Sequence, residues 1–371
     1  MNWYGGPQQK LQLYPVQKMK FKDHPFVSLE SDVVMERYWL NSRGLSVYIL
    51  DETPLFVDQN TIEADRICFT AKNALPYYIE KETFNFRYQI SFSSDAKTTQ
   101  MNNMHQHPKE DPHALPNERM VKYPSWNTWV RYGRNVNETT ITNFISEISM
   151  NEFNYSLLVI DDFWEEKCYG SMMIDKVKFP DMKKMTTDLK KKYDGLAFSL
   201  LIHPYLNKNC DPYYTFALTK DYLQSKSGSH DTSWWNSETN EAAKIDFSNV
   251  KATNWFRNQL LKLKEKSGVD TFKFVGCEAK FLTESPNTSG DRHRQPVQVI
   301  EDYKILLKFG DMMEFSAGRR SNHLNAFVRM HGFNSRWSID NGLKALIPRL
   351  IQMNLASNHF ILPGLFTYFI C

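Results

Sequence analysis

KATNWFRNQLLKLKEKSGVDTFKF, residues 251–274, sets one kind of element directly against another. Lys251–Lys266 reads as an amphipathic helix and Thr271–Phe274 as a short strand, the succession from which parallel sheets and (β/α) barrels are built. The same rhythm extends outward on both sides. Upstream, after Pro124, strands are expected at Trp126–Arg131, Tyr155–Ile160 and Leu196–His203, with helices over Glu138–Met150 and Phe179–Lys192. In the first of these helices Ile141, Phe144, Ile145 and Ile148 fall on one face. Downstream come strand-like pieces near Met312–Phe315 and Ala326–Met330, a helix over Asn341–Met353, and a strand at Phe360–Leu362. Seven candidate strands result where a closed barrel requires eight. The expected fold class is therefore α/β, a (β/α)8-type TIM barrel truncated after strand seven, whose open edges favour self-association.

From Val33 to about Phe92 the chain alternates in short β-rich runs, such as Gly44–Ile49 and Arg66–Phe69, broken by Pro54 and Pro76. This predicts antiparallel sheet. Between them lies MNNMHQHPKEDPHALPNER, residues 101–119, where three prolines and polar residues disfavour both helix and strand. The expected organisation is a partial N-terminal β-sandwich over 1–92, a linker over 93–123 and the barrel over 124–371. His105, His107 and His113 in the linker read as solvated loop rather than a metal tract, since no Cys or carboxylate pattern accompanies them.

Composition narrows the function. Hydrophobic residues make up 42% and charged residues 23%, the mixture of a packed globular protein. Forty-five basic and 42 acidic residues give a formal charge of +3, too even a balance for the broad positive field of a nucleic-acid binder. The basic run KKMTTDLKKK, residues 183–192, reads as a solvated helix face. Five cysteines, at 68, 168, 210, 277 and 371, show no zinc spacing and no disulfide framework, although one or two bridges are compatible with a luminal chain. The sequons at Asn137, Asn154 and Asn287 are usable only there. No run of apolar residues is long enough to span a membrane, and the opening MNWYGGPQQK lacks the charged start and apolar run of a secretory signal.

In a (β/α) barrel the active site lies where strands end. Asp161-Asp162, followed by Phe163-Trp164-Glu165, leaves the second strand; His203-Pro204-Tyr205 leaves the third; Glu278 follows the fourth and Arg329 closes the sixth. The paired aspartates suit either sugar hydroxyls or a cation, or else a cap or salt bridge. His203 is either a structural histidine or a catalyst. Trp234-Trp235 lies in SKSGSHDTSWWNS, a loop in which exposed aromatics imply something to cover.

Several stretches together resemble glycoside hydrolase family 31. WWNSETN onward to KF at 273–274 is similar to the family's approach to strand four, and IDDFWEEKCYGSMMIDKVKFPDMKKM, residues 160–185, to its strand-two segment. HPYLNKN at 203–209 resembles the strand-three exit, and FVRMHGFNSRWSIDNGLKALIP at 327–348 the strand-six region. NWYGG at 2–6 and ERYWLNSRGLSVYI at 36–49 resemble the sandwich that precedes the family's barrel. The likeness runs in order along nearly the whole chain, as in an incomplete, degenerate member.

Retaining glycosidases use two facing carboxyl groups, a nucleophile and an acid/base. The family's strand-four motif places the nucleophile after Lys-Phe, which here is Val275; Glu278, three residues on, is retained. Counting from Ser335-Arg336-Trp337 places the acid/base at Gly332. The substrate arginine falls on Ser316 and a further family aspartate on Gly364. Neither an isopropyl group nor a hydrogen can perform these steps. The resemblance thus implies a glycosidase fold, catalytically impaired, with Asp161, Asp162, Trp164, His203, Trp235, Glu278 and Arg329 around a carbohydrate, an α-glycoside, and with no cofactor. Two rivals stand beside it: an active α-galactosidase-like enzyme using other carboxylates such as Asp161 or Asp162, and a gene fragment without function. By resemblance the location is the secretory pathway or the exterior.

Overall fold

The computed structural model describes residues 1–7, 9, 11–26, 35–50, 53–61, 63, 64, 66–74, 77, 85–106, 115–224, 230, 241–276, 309–315, 324–330 and 338–363. Its strands are β1 (Trp3–Pro7), β2 (Phe21–Pro25), β3 (Met35–Asn41), β4 (Leu45–Ile49), β5 (Leu55–Gln59), β6 (Ile67–Ala71), β7 (Tyr88–Phe92), β8 (Ser125–Asn127), β9 (Leu157–Ile160), β10 (Ala197–Ile202), β11 (Tyr205–Asn207), β12 (Ala242–Lys244), β13 (Thr271–Phe274), β14 (Met313–Phe315), β15 (Ala326–Arg329) and β16 (Ile361–Leu362). The α-helices are α1 (Ala96–Gln106), α2 (Glu118–Lys122), α3 (Trp129–Tyr132), α4 (Glu138–Met150), α5 (Met182–Lys192), α6 (Tyr213–Thr219), α7 (Val250–Ser267) and α8 (Gly342–Leu355).

The seven expected barrel strands form one parallel sheet in chain order, β8-β9-β10-β13-β14-β15-β16, with β8 and β16 at its edges. Its strands are apolar on both faces, as a sheet covered on both sides must be. Side chains alternate between two destinations. Leu158, Ile160, Phe198, Leu200, Ile202, Phe272, Phe274 and Phe315 enter the large core shared with the helices. Leu157, Val159, Ala197, Met312 and Phe327 cluster separately with Phe360 and Leu362 on the inner face. The fold is therefore the expected half-closed (β/α) barrel.

Local chemistry explains the helix bounds. Asn137 caps α4 through a reciprocal box with Thr140, and Asp181 accepts from Lys184 N at the start of α5. Asn249 opens α7, and Gly268, at φ +70°, ends it in the left-handed conformation that lets its N–H reach Lys264 O.

Two antiparallel sheets precede the barrel, β1-β3-β4-β7 and β2-β5-β6. Trp39 and Ile49 from the first meet Val57 from the second, with Phe69 edge-on to the Trp39 indole at 4.5 Å. This is a sandwich core.

Two expectations fail in detail. Trp126–Arg131 does not stay a strand: Asn127 Oδ1 accepts from Trp129 N at 2.7 Å and turns the chain into α3. The stretch expected to hold neither helix nor strand holds α1 and α2. α1 has no apolar face and is held by polar docking: Thr99 Oγ1 donates to Gly44 O at 2.6 Å, and Asn103 Nδ2 to Tyr38 Oη at 2.9 Å and Ser46 Oγ at 3.0 Å. The backbone of residue 105 lies in α1, whereas its side chain, with His107 and His113, falls outside the described part. Among the described residues no group of His, Cys, Asp or Glu could hold a metal, and no helix is long and apolar enough to cross a membrane.

Candidate active site

The inner face changes character toward the strand ends. Below lie Leu157, Val159, Ala197 and Phe327; above them, by the same alternation, come Asp161, Lys273, Glu314 and Arg329. All but Arg329 are buried. Lys273 Nζ stands 2.5 Å from Asp161 Oδ2, which also accepts from Asn127 Nδ2 at 2.6 Å. Arg329 Nη1 lies 3.9 Å from Glu314 Oε2. Glu314 Oε1 is buried with no hydrogen-bond partner among the described residues. Two acids and two bases thus form a charge-balanced layer, which is what burial of such groups requires. Burial alone would raise the Asp161 pKa, but the charges of Lys273 and Arg329, with hydrogen bonds from Lys273 and Asn127, hold it below the usual carboxylate range.

The neighbouring aspartate goes the other way. Asp162 Oδ1 accepts from Phe163 N at 2.8 Å, and its charge acts on Glu165 and Lys178 rather than on the inner layer. Between the two carboxylates and Trp164 the chain turns sharply, with Phe163 at φ +66°, a conformation that costs a bulky residue free energy and that recurs at functional sites. Trp164 is turned into the core, its indole N–H donating to Leu201 O at 2.9 Å. β9 ends at Ile160, and the bend that follows divides the Asp161-Asp162 pair.

His203 follows β10 and is buried. Its Nδ1 accepts from Tyr205 N at 3.3 Å, and its Nε2 lies 3.8 Å from Glu165 Oε2. Burial lowers the imidazole to about 4 and pushes the Glu165 carboxyl up to about 8 despite donors from Gly170, Met172 and Ser171. The contact joins two neutral groups and is not an ion pair. The Cys168–Cys210 disulfide ties this loop to the segment beyond β11.

Val275 follows β13 directly, two residues beyond Lys273 and so on the same inner side. Its N–H donates to Ile202 O at 2.9 Å, and its side chain packs on Tyr205 and Ala242. Tyr205 Oη donates to Gly276 O at 3.2 Å. The structure therefore brings together Asp161, Arg329 and Val275 around Lys273, turns Trp164 into the core, and leaves His203 beside Glu165 and Tyr205. Trp235, Glu278, Ser316, Gly332 and Gly364 fall outside the described residues. Sequence reasoning missed Lys273 as an inner-face cation, Glu314 and Asn127; the available signal was a charged residue inside an apolar strand, TFKF or MEF, where both faces are covered.

Residues 118–338 match the TIM-barrel domain of glycosyl hydrolases family 31. The chain belongs to glycosyl hydrolase family 31. Within that family it is 25% identical over 378 residues to the myogenesis-regulating glycosidase of Mus musculus, covering 98% of this chain and 52% of that protein. It is 24% identical over 388 residues to the SITS-binding protein of Tetronarce californica, covering 98% and 51%. The chain spans about half the length of the curated relatives it matches. Its fold superposes on a family 31 α-xylosidase from a soil metagenome, complexed with xylose, with TM-score 0.73 at 14% identity, covering 98% of this chain and 51% of that one.

Proposed function

We propose that this family 31 chain, of the myogenesis-regulating glycosidase type, keeps the barrel mouth as a carbohydrate pocket for α-glycosides but does not cleave them. The observation that carries this reading is Val275. The residue that follows Lys273-Phe274 stands on the inner side of the sheet, where the family motif places its nucleophile, and it offers only an isopropyl group packed on Tyr205 and Ala242. Gly332, at the acid/base position by sequence count, has no proton to give. An active enzyme working through Asp161 is disfavoured by the same geometry, because the oxygen that would attack is already engaged by Lys273 and Asn127.

The Cys168–Cys210 bridge supports folding in an oxidising compartment, which makes a secretory or extracellular location part of the proposal. The test is purified protein with a panel of aryl α-glycosides and a fluorinated glycosyl inactivator, read beside sugar titrations by calorimetry. Expected are sugar binding, no turnover and no covalent adduct. Turnover that survives in the pure protein and is lost with Asp161→Asn would transfer the assignment to an active enzyme.

A further inference from the structure

A pocket of about 270 Å³ opens between α7, α6 and the loop that follows β9. On the α7 side, Gln259, Lys262, Leu263 and Lys266 fall at spacings of three and four and share one face. Leu263 is buried at the floor, and both lysines are exposed. Neither ammonium group has an ion-pair partner among the described residues. Like charges four apart on a helix repel each other, while Lys266 stands in the last turn of α7, where the helix dipole favours a cation.

The opposite wall is built in advance. Glu165 Oε1 accepts from Gly170 N at 3.0 Å, from Ser171 Oγ at 3.3 Å and from Met172 N, and the Cys168–Cys210 bridge anchors the same loop. Gly170, at φ +94°, lies so close to the backbone that a Cβ would meet Tyr205 O at 2.3 Å. Met172 is held at φ +57°, a strained conformation for its residue type. The result is that the Met172 and Met173 side chains, polarizable and adaptable, line a fixed wall opposite two free cations, with Tyr213 from α6 between them.

We infer that this pocket binds an organic anion: an apolar, preferably aromatic body resting on Met172, Met173 and Leu263, with one acidic group, a sulfonate, sulfate or carboxylate, held between Lys262 and Lys266. A bare inorganic anion leaves the apolar wall uncovered. A neutral apolar ligand leaves the two ammonium groups repelling each other. Only an amphiphilic anion satisfies both halves of the lining.

The experiment titrates naphthalene-2-sulfonate into the full chain by calorimetry, with methionine methyl groups observed by NMR, beside the neutral naphthalene-2-sulfonamide and inorganic sulfate. Expected are binding of the sulfonate with shifts at the Met172 and Met173 methyls, affinity about tenfold lower for the sulfonamide, and weakening with added salt. Lys262→Glu with Lys266→Glu abolishes binding, and the milder Lys262→Gln weakens it, each compared in protein that circular dichroism shows to be folded. Absence of sulfonate binding, equal affinity for the sulfonamide, indifference to both substitutions in folded protein, or shifts confined to other methionines would each overturn the assignment.

Discussion

Lys273 lies between Phe272 and Phe274 in a buried strand, and its charge is tolerable because Asp161 stands 2.5 Å away and Glu314 lies in register beside it on β14. Removing one partner leaves the other buried and unmatched, at a cost of about 3–5 kcal/mol. Lys273→Met is therefore expected to lower urea stability by about that amount, with much of it restored when Asp161→Leu is added. The Asp161 carboxyl is held below its ordinary range, so its contribution is complete above the unfolded value of about 3.9 and fades as pH falls through the lower folded value. Glu165 has the opposite sign. Its folded carboxyl, raised by burial to about 8, keeps a proton that the unfolded chain releases above about 4.3, so stability declines with rising pH across that interval, by up to about 1.4 kcal/mol per unit. Glu165→Gln carries no such proton, and denaturation curves from about pH 5 to about 8 should show its slope flattened relative to the native chain.

At the scale of elements, the loop after β9 is the segment with the most devices spent on it: a buried carboxylate collecting three donors, a left-handed methionine and a disulfide spanning 42 residues. Closing a loop of that length removes unfolded-state entropy worth about 4 kcal/mol in the chain-entropy account. Cys168→Ser with Cys210→Ser should lower the thermal midpoint, and reductant should lower that of the native protein while leaving the variant unmoved. If reductant shifts both equally, the bridge is not the source of the effect.

Over the whole molecule, the sandwich and the barrel meet in a shared apolar core that Phe56 and Tyr77 enter, and through two glutamines. Gln352 on α8 donates from Nε2 to Gly6 O at 2.8 Å and accepts from Tyr14 Oη at 2.5 Å, and Gln100 on α1 donates to Leu355 O at 3.0 Å. Gln352 is buried. Its loss strands a carbonyl and a hydroxyl, at about 1–3 kcal/mol each. Gln352→Ala is expected to separate the unfolding of the two parts, seen as two transitions in the calorimetric melting profile where the native chain shows one.

The alternation of strand and helix was legible because each barrel strand is a short apolar run and each helix shows a periodic face, signals that local side-chain transfer energies write directly into sequence. The order and places of the seven strands, the first only at its start, and the span of α4 could be read that way. α1 could not: it has no apolar stripe, and its stability comes from hydrogen bonds to Gly44, Tyr38, Ser46 and Leu355, partners distant in the chain. The same limit governs the site. Composition and register fix which residues stand at the strand ends, but the division of Asp161 from Asp162, the pairing of Asp161 with Lys273 and the pocket facing Lys262 and Lys266 arise only when strands and loops far apart in sequence are laid side by side. Electrostatic interaction depends on distance in space, and only the folded chain sets that distance.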